Sequence, residues 1–254
     1  MLDRPIAAET PTKWGSMRLV AWNILHGGGQ RVAEICLDLA ALSPDVVALS
    51  EFRQGRGGCL RGALADLGLP HQATLDTVDK HALDASANGL LIASRTELEA
   101  CDNQAETGRI QAVRVAASEM TLVAAHMPDK GQPTARAHAW NSLVGLARTM
   151  TCDPAIILGD LNAGRPGLDG AGLTRRDGEV LGRLAALGFE DVFRRLHPDA
   201  DVASWWSHSG RGYRLDHALA NASLMPRLKR AGYGEDVVRR GVSDHAPLVV
   251  ELSG

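Results

Sequence analysis

Several polar residues stand where short apolar runs end or begin, and their types already narrow the chemistry. Asn23 follows MRLVAW, Glu51 follows DVVALS, His126 follows TLVAA, and Asp160 and Asn162 come just after AIIL. Asp216 sits inside YRLDHALA, and Asp244 and His245 precede the last apolar run. Apolar runs that each deliver one such group imply convergence at one end of a sheet, because burying so many unpaired polar groups elsewhere is costly. Asn, Glu and Asp are hard oxygen ligands suited to Mg²⁺ or Mn²⁺. Zinc would want more His or Cys. A hard cation beside a His and an Asp suits hydrolysis of a phosphodiester: the metal offsets charge on the phosphate oxygens, a carboxylate orients water, and an imidazole or the metal helps the leaving oxygen.

Strands and helices must alternate to position these groups. Met17–Trp22, Asp45–Leu49, Gly89–Ala93, Ile110–Val115, Thr121–Ala125 and Ala155–Leu158 read as strands. So do segments near Ser204–Trp206 and over Arg214–Ala220. Val32–Leu42 and Pro133–Met150 read as helices, the second with Pro in its first turn, and Glu179–Leu187 as a third that stops at Gly188. Gly164–Gly172 is a loop. Pro247 inside Val242–Leu252 marks an edge strand or one that starts late. His217 alternates away from Asp216 and faces the other side of its strand. No repeat or long linker appears, and the mixture of neighbours and crossovers gives an α/β domain with mixed sheets.

The chain has 254 residues, 45% hydrophobic and 22% charged, which is the composition of a folded protein and not of a disordered one. At a net charge of −3, a protein held to nucleic acid by general basicity is excluded, and any such binding needs a local basic surface. Arginines that follow the polar positions could supply it: Arg53, Arg56 and Arg61 after Glu51, Arg165, Arg175 and Arg176 after GDLN, and Arg211 and Arg214 before Asp216. The scattered Cys36, Cys59, Cys101 and Cys152 form no Cys-x-x-Cys pair and read as reduced thiols. Residues 1–14 read as a short tail without an apolar signal core, and 15–254 as a single catalytic domain. No apolar run approaches the roughly 20 residues of a membrane span. The expectation is a cytoplasmic monomer with no membrane partner.

WNILHGG, PDVVALSE, GDLN and SDHAPL, in this order, resemble the endonuclease/exonuclease/phosphatase superfamily over about Arg18 to Leu252. The resemblance implies a four-layer sandwich of two packed mixed β-sheets flanked by helices, with the site at one edge. It implies Glu51 as the main metal ligand, with Asn23 and Asp244 as further metal-site groups. Asp160 would orient or deprotonate the attacking water, and Asn162 would hydrogen-bond the phosphate or the nucleophile. Asp216 would pair with His245 and favour its charged form, and His245 would contact the scissile phosphate.

The C-terminal half is similar to the exonuclease III type of apurinic/apyrimidinic (AP) endonuclease, through GFEDVFR (188–194), His197-Pro198, Ser204-Trp205-Trp206 and GYRLD (212–216). That similarity implies DNA as partner, and Trp205, Arg211, Arg214, Arg109 and Asn88 as substrate-binding residues, with Trp205 stacking on or wedging against an extruded abasic sugar. Two segments depart from the repair pattern. Ala125-His126-Met127-Pro128 carries a His where exonuclease III types carry a Tyr, as in deoxyribonuclease I and the sphingomyelinases, where it can serve as a general acid. WNILHGGG lacks the Asn-Gly of the repair enzymes. The rival readings are a phosphodiesterase or phosphatase acting on a lipid or small ester, a non-specific nuclease, and a binding module on a decayed nuclease fold.

Overall fold

The computed structural model describes residues 16–74, 88–101 and 108–254. The expected tail over 1–14 lies outside the described residues. Strands β1 (Ser16–Asn23), β2 (Val46–Phe52), β3 (His71–Thr74) and β4 (Gly89–Ser94) come first, with helices α1 (Val32–Leu42) and α2 (Gly58–Asp66) among them. Strands β5 (Leu98–Ala100), β6 (Ile110–Val115), β7 (Met120–Ala125) and β8 (Ala155–Asp160) follow, and α3 (Pro133–Thr149) joins the last two. Next are α4 (Arg175–Ala185), β9 (Glu190–Asp191), α5 (Val192–Leu196), β10 (Trp205–Trp206) and β11 (Gly212–Tyr213). Strands β12 (Asp216–Ala220) and β13 (Leu228–Tyr233), the short α6 (Asp236–Arg239) and β14 (Leu248–Ser253) complete the order.

Two six-stranded sheets result, in the orders β13-β14-β1-β2-β4-β3 and β5-β6-β7-β8-β12-β9. Both are mixed: β1 runs parallel to β2 and β7 to β8, while β14 and β12 pair antiparallel with β1 and β8. The alternation of each strand explains the layering. Leu19, Ala21, Val46 and Ala48 of one sheet meet Leu122, Ala124, Ile156 and Leu158 of the other. The intervening Val20, Trp22, Val47 and Leu49 face outward and are covered by Ile35 and Leu39 of α1 and Leu60 and Leu64 of α2. On the opposite side Val123 and Ile157 lie under Trp140 and Leu143 of α3 and Leu181 and Leu184 of α4. Strands apolar on both faces belong inside such a helix–sheet–sheet–helix sandwich. Among the described residues no helix is long and apolar enough to cross a membrane.

Pro247 has the second of its two expected meanings: β14 starts late, at Leu248, and is an interior strand between β13 and β1. The edge-strand alternative is thereby corrected. Strand β13, which covers that side, carries exposed Lys229 and Arg230 and shows no apolar alternation to announce it. Helix α4 starts earlier than its apolar spacing suggests, because Thr174 and Asp177 form a capping box.

Arg214 requires a second correction. Expected at the substrate, it is instead fully buried beneath the sheet end. Its guanidinium meets Asp169 Oδ1 at 2.8 Å and Asp191 Oδ2 at 2.6 Å, and Arg194 reaches the same Asp169 oxygen at 2.6 Å. Burial works against the charge on Asp191, but His217 and Arg214 outweigh it and hold its carboxyl far below the usual carboxylate range. A depressed carboxyl contributes stability above its unfolded pKa of about 3.9 and loses it as pH falls below that value toward the folded one. Asp191→Asn leaves part of a buried charge pair uncompensated and is expected to cost about 3–5 kcal/mol near neutrality. Urea titrations at several pH values check this: the variant should also lose part of the wild-type destabilisation below about pH 4.

Candidate active site

The ends of β1, β2, β7, β8 and β12 lie together at one edge of the stacked sheets, with the segment before β14 beside them. They form the floor of an open cleft of ≈ 1240 Å³. Asn23, Glu51, Asn88, Arg109, His126, Asp160, Asn162, Trp205, Asp244 and His245 all line it. Asp216 lies just beneath, buried, opposite Asp160 in the β12–β8 register. Arg211 is exposed on the turn between β10 and β11 and does not line the cleft, and Arg214 is in the interior.

Backbone irregularities aim these groups. Glu51 sits at a register shift in the β2–β4 pairing with φ 61°, an unfavourable conformation for a residue with a Cβ. Gly159 has φ 133°, and a Cβ there would stand 2.2 Å from Ala125 O. Only glycine therefore lets the end of β8 press against the end of β7 and bring Asp160 beside His126. Leu25, His26, Gly27, Gly28 and Gly29 all have positive φ. This reversal is tied down by Arg31, which donates to Leu25 O and Gly28 O and, across the cleft edge, to Val242 O at 2.8 Å.

The carboxylates are held by a shared set of donors. Asn23 Nδ2 donates to Glu51 Oε1 at 3.2 Å and to Asp160 Oδ2 at 3.1 Å, while its Oδ1 accepts from Leu25 N. Asn23 thus positions two carboxylates at the cleft floor. Glu51 Oε2 accepts from His26 N at 2.7 Å and Asn88 Nδ2 at 3.0 Å. Asn88, expected at the substrate, is therefore also engaged in holding Glu51. Burial opposes the charge on Glu51, but the His26 N–H, the Asn23 amide and the nearby imidazoles outweigh it and lower its pKa.

Asp160 is flanked by two imidazoles, with His126 Nε2 and His245 Nε2 each 3.7 Å from its Oδ2. Burial, reinforced by Asp216, raises its pKa against the pull of the two histidines. Those histidines differ in kind. His245 Nδ1 lies 2.8 Å from Asp216 Oδ2, and although burial disfavours its charge, Asp216 and Asp160 push its pKa up to about 10. His126 is driven down by burial, with Arg109 adding to the effect, and is the neutral member. Environments that set two like groups apart in this way are characteristic of acid–base assignments. Asn162, with φ 47°, gives its backbone N–H to Asp160 Oδ1 at 3.0 Å and its amide nitrogen to Met127 O at 2.9 Å.

Sequence reasoning left two residues without a role here. Ser204, fully buried, donates to Asp216 Oδ2 at 2.6 Å and receives the N–H groups of Leu215 and Asp216, so it fixes the oxygen that pairs with His245. His26 places Nδ1 3.0 Å from Glu51 Oε2. Its only sequence signal is the run of glycines behind it. Trp205 Nε1 donates to Asp244 Oδ2 at 3.0 Å, an aromatic anchored on the residue next to His245. His217 points away, its Nε2 2.8 Å from Ala163 O and its Nδ1 3.4 Å from Asp191.

A hard divalent cation fits this donor set. Among the described residues Asp216 Oδ1 and Asp244 Oδ1 are buried without a hydrogen-bond partner, which is costly unless a positive group meets them. Asp160, Asp216 and His245 offer ligand atoms within 4.8 Å of one another. That trio omits Glu51, and its His245 and Asp216 Oδ2 are already committed to each other.

A model of the Endonuclease/Exonuclease/phosphatase family matches residues 20–245. An exodeoxyribonuclease of Bacillus subtilis (strain 168) is 32% identical over 111 residues, a stretch that covers 37% of this chain and 43% of that protein. The DNA repair nuclease APEX1 of Danio rerio is 26% identical over 292 residues, covering 99% of this chain and 89% of that one. Among solved structures, an AP endonuclease from Archaeoglobus fulgidus superposes with a TM-score of 0.78 at 18% identity, over 92% of this chain and 98% of the other. At that identity the likeness is one of fold.

Proposed function

The chain belongs to the Endonuclease/Exonuclease/phosphatase family, and on that basis we propose that it is a divalent-cation-dependent phosphodiesterase that hydrolyses DNA, of the AP endonuclease/exonuclease III type. The observation that carries the reading is the pair of imidazoles, His126 and His245, each with Nε2 3.7 Å from one buried carboxylate, Asp160, at the floor of an open cleft. DNA as the substrate rests on the names of the relatives and on Trp205 in the cleft wall. Residues 15–254 act as one catalytic unit in this reading.

Glu51 would hold the cation, with Asp244 Oδ1 as a further oxygen, and Mg²⁺ or Mn²⁺ suits such ligands. When bound, the ion neutralises charge on the phosphate and leaving oxygens. Asp160, whose raised pKa makes it the better base, orients water and takes its proton. Charged His245, fixed by Asp216 and Ser204, meets the charge that develops on the phosphoryl oxygens. Neutral His126 donates one N–H to the same group. Its lowered pKa argues against the general-acid role of a charged imidazole.

A substrate panel with Mg²⁺ tests the reading: duplex with an abasic site, 3′-recessed duplex, single-stranded DNA, RNA and a chromogenic diester. Cleavage of the abasic duplex is the expected result. Cleavage of the chromogenic diester alone would overturn the DNA assignment in favour of the small-ester phosphodiesterase. Ligation by Glu51 is tested separately by Mn²⁺ titration followed by electron paramagnetic resonance. Glu51→Gln should weaken binding by at least about 10-fold, the loss that follows from removing even a partner that only orients a ligand, and unchanged affinity would remove Glu51 from the ligand set.

A further inference from the structure

Arg53 is built into the cleft in a way the hydrolytic centre does not use. Phe52 is buried, while Glu51 and Arg53 on either side of it both line the cleft. The aliphatic stem of Arg53 lies against Gly27, where a Cβ would stand 3.1 Å from Arg53 Cβ and 3.2 Å from its Cγ and Cδ. Its Nε donates to Asn88 Oδ1 at 3.0 Å, and Asn88 in turn donates to Glu51 Oε2. The amide is thus interposed between guanidinium and carboxylate. Among the described residues the two terminal nitrogens of Arg53 have no hydrogen-bond or ion-pair partner. Elsewhere Arg18, Arg95, Arg136, Arg194 and Arg214 each meet a carboxylate. A half-buried, pre-oriented fork with open N–H groups is matched to a planar pair of anionic oxygens.

Its place in the sheet says which anion. Arg53 follows β2, whereas His245 precedes β14 and bridges to Trp205. Strand β1 lies between β2 and β14, so two strand spacings, roughly 10 Å, separate the two positions. From Arg53 the hydrogen-bond chain runs through Asn88, Glu51 and Asn23 before it reaches Asp160, the carboxylate beside His245, so the guanidinium enters the cleft on its Glu51 side.

We propose that Arg53 forms a second phosphate subsite, on the Glu51 side of the cleft away from Trp205. It takes a phosphoryl group carried on the same substrate as the scissile one. This rests on the phosphodiesterase reading above and deepens it, because it favours substrates with at least two phosphates over isolated esters. The second phosphate is either a flanking diester of a polynucleotide or a terminal monoester.

Three substrates separate the cases: bis(p-nitrophenyl) phosphate with one phosphate, d(TpTpT) with a flanking diester, and d(pTpT) with a terminal monoester. In Arg53→Gln the ratio of kcat/KM for a two-phosphate substrate to that for the one-phosphate substrate should fall by about tenfold, as for loss of a charged hydrogen bond. Arg53→Lys, which keeps the charge and loses the fork, should lose less. Whichever two-phosphate substrate shows the loss identifies the source, and a ratio equal to wild type on both overturns the subsite. Binding of a labelled single-stranded hexathymidylate in EDTA provides a measure free of turnover. Its log–log salt dependence should flatten by about 0.7 in Arg53→Gln, one phosphate contact on a single strand. An unchanged slope counts against the subsite whether or not the protein proves to be a phosphodiesterase. A wild type that cleaves none of the three substrates, with the slope change present, overturns only the parent reading.

Discussion

Asp160→Asn is expected to lower kcat by about 10³- to 10⁴-fold, the upper range for loss of a positioned general base, and to leave the fold intact. The two effects part company for a physical reason. The carboxylate is fully enclosed, and burial together with Asp216 raises its pKa, so its charged form is disfavoured in the folded state. By linkage, a raised carboxyl pKa subtracts stability once the group ionises. The neutral amide is nearly isosteric and keeps one of the two acceptors, so it loses either the bond from Asn23 Nδ2 to Oδ2 or the bond from Asn162 N to Oδ1, which offsets part of the gain. The variant should therefore melt close to the wild-type temperature in EDTA while turning over chromogenic diester at a small fraction of the rate. An active site that stores unfavourable electrostatics to do chemistry behaves in this way. Near-wild-type turnover would remove Asp160 as the base. A large loss of melting temperature would show that its charge is structural.

The parts of the site carried by strand ends were legible because two local patterns coincide there: an apolar run, then one polar residue. Asn23, Glu51, His126 and Asp160 all follow that rule, and the cleft collects them. What escaped depends on distant partners. Arg214 looks like any arginine beside a proposed site residue, and only folding brings Asp169 and Asp191 against it, 45 and 23 residues away. His26 gains its contact with Glu51 from a reversal in which Leu25 and His26, neither of them glycine, adopt positive φ. Strand β13 was unreadable because its register partner Val250 supplies the apolar face while Lys229 and Arg230 stay exposed. The sandwich itself was expected from the family resemblance, whereas the pattern of runs alone reached no further than an α/β domain with mixed sheets. A continuous apolar stretch needs cover on both faces, and β1, β2, β7 and β8 each carry one, over 19–22, 46–49, 122–125 and 155–158.

His245→Ala should cost about 10³-fold in kcat, the scale for losing a donor to a developing oxyanion, and its complement Asp216→Asn tells how the imidazole does its work. In the folded protein burial pulls the His245 pKa down, yet Asp216 and Asp160 carry it up to about 10. A histidine raised in this way is charged at neutrality, and it contributes stability that is fully present below its unfolded pKa of about 6.5 and lost as pH rises through the folded value. If the charged form is the working form, wild-type kcat should hold across neutrality and fall as pH approaches 10. Asp216→Asn removes the first of the two carboxylates and the 2.8 Å bond to Nδ1. The falling limb should then move to lower pH, with His126 still neutral because its own shift comes first from burial. A pH–rate profile of the two proteins on one small diester decides the matter. A limb that stays in place while kcat drops would mean that Asp216 serves only to aim the ring. A variant as active as wild type at every pH would take the Asp216–His245 pair out of the chemistry.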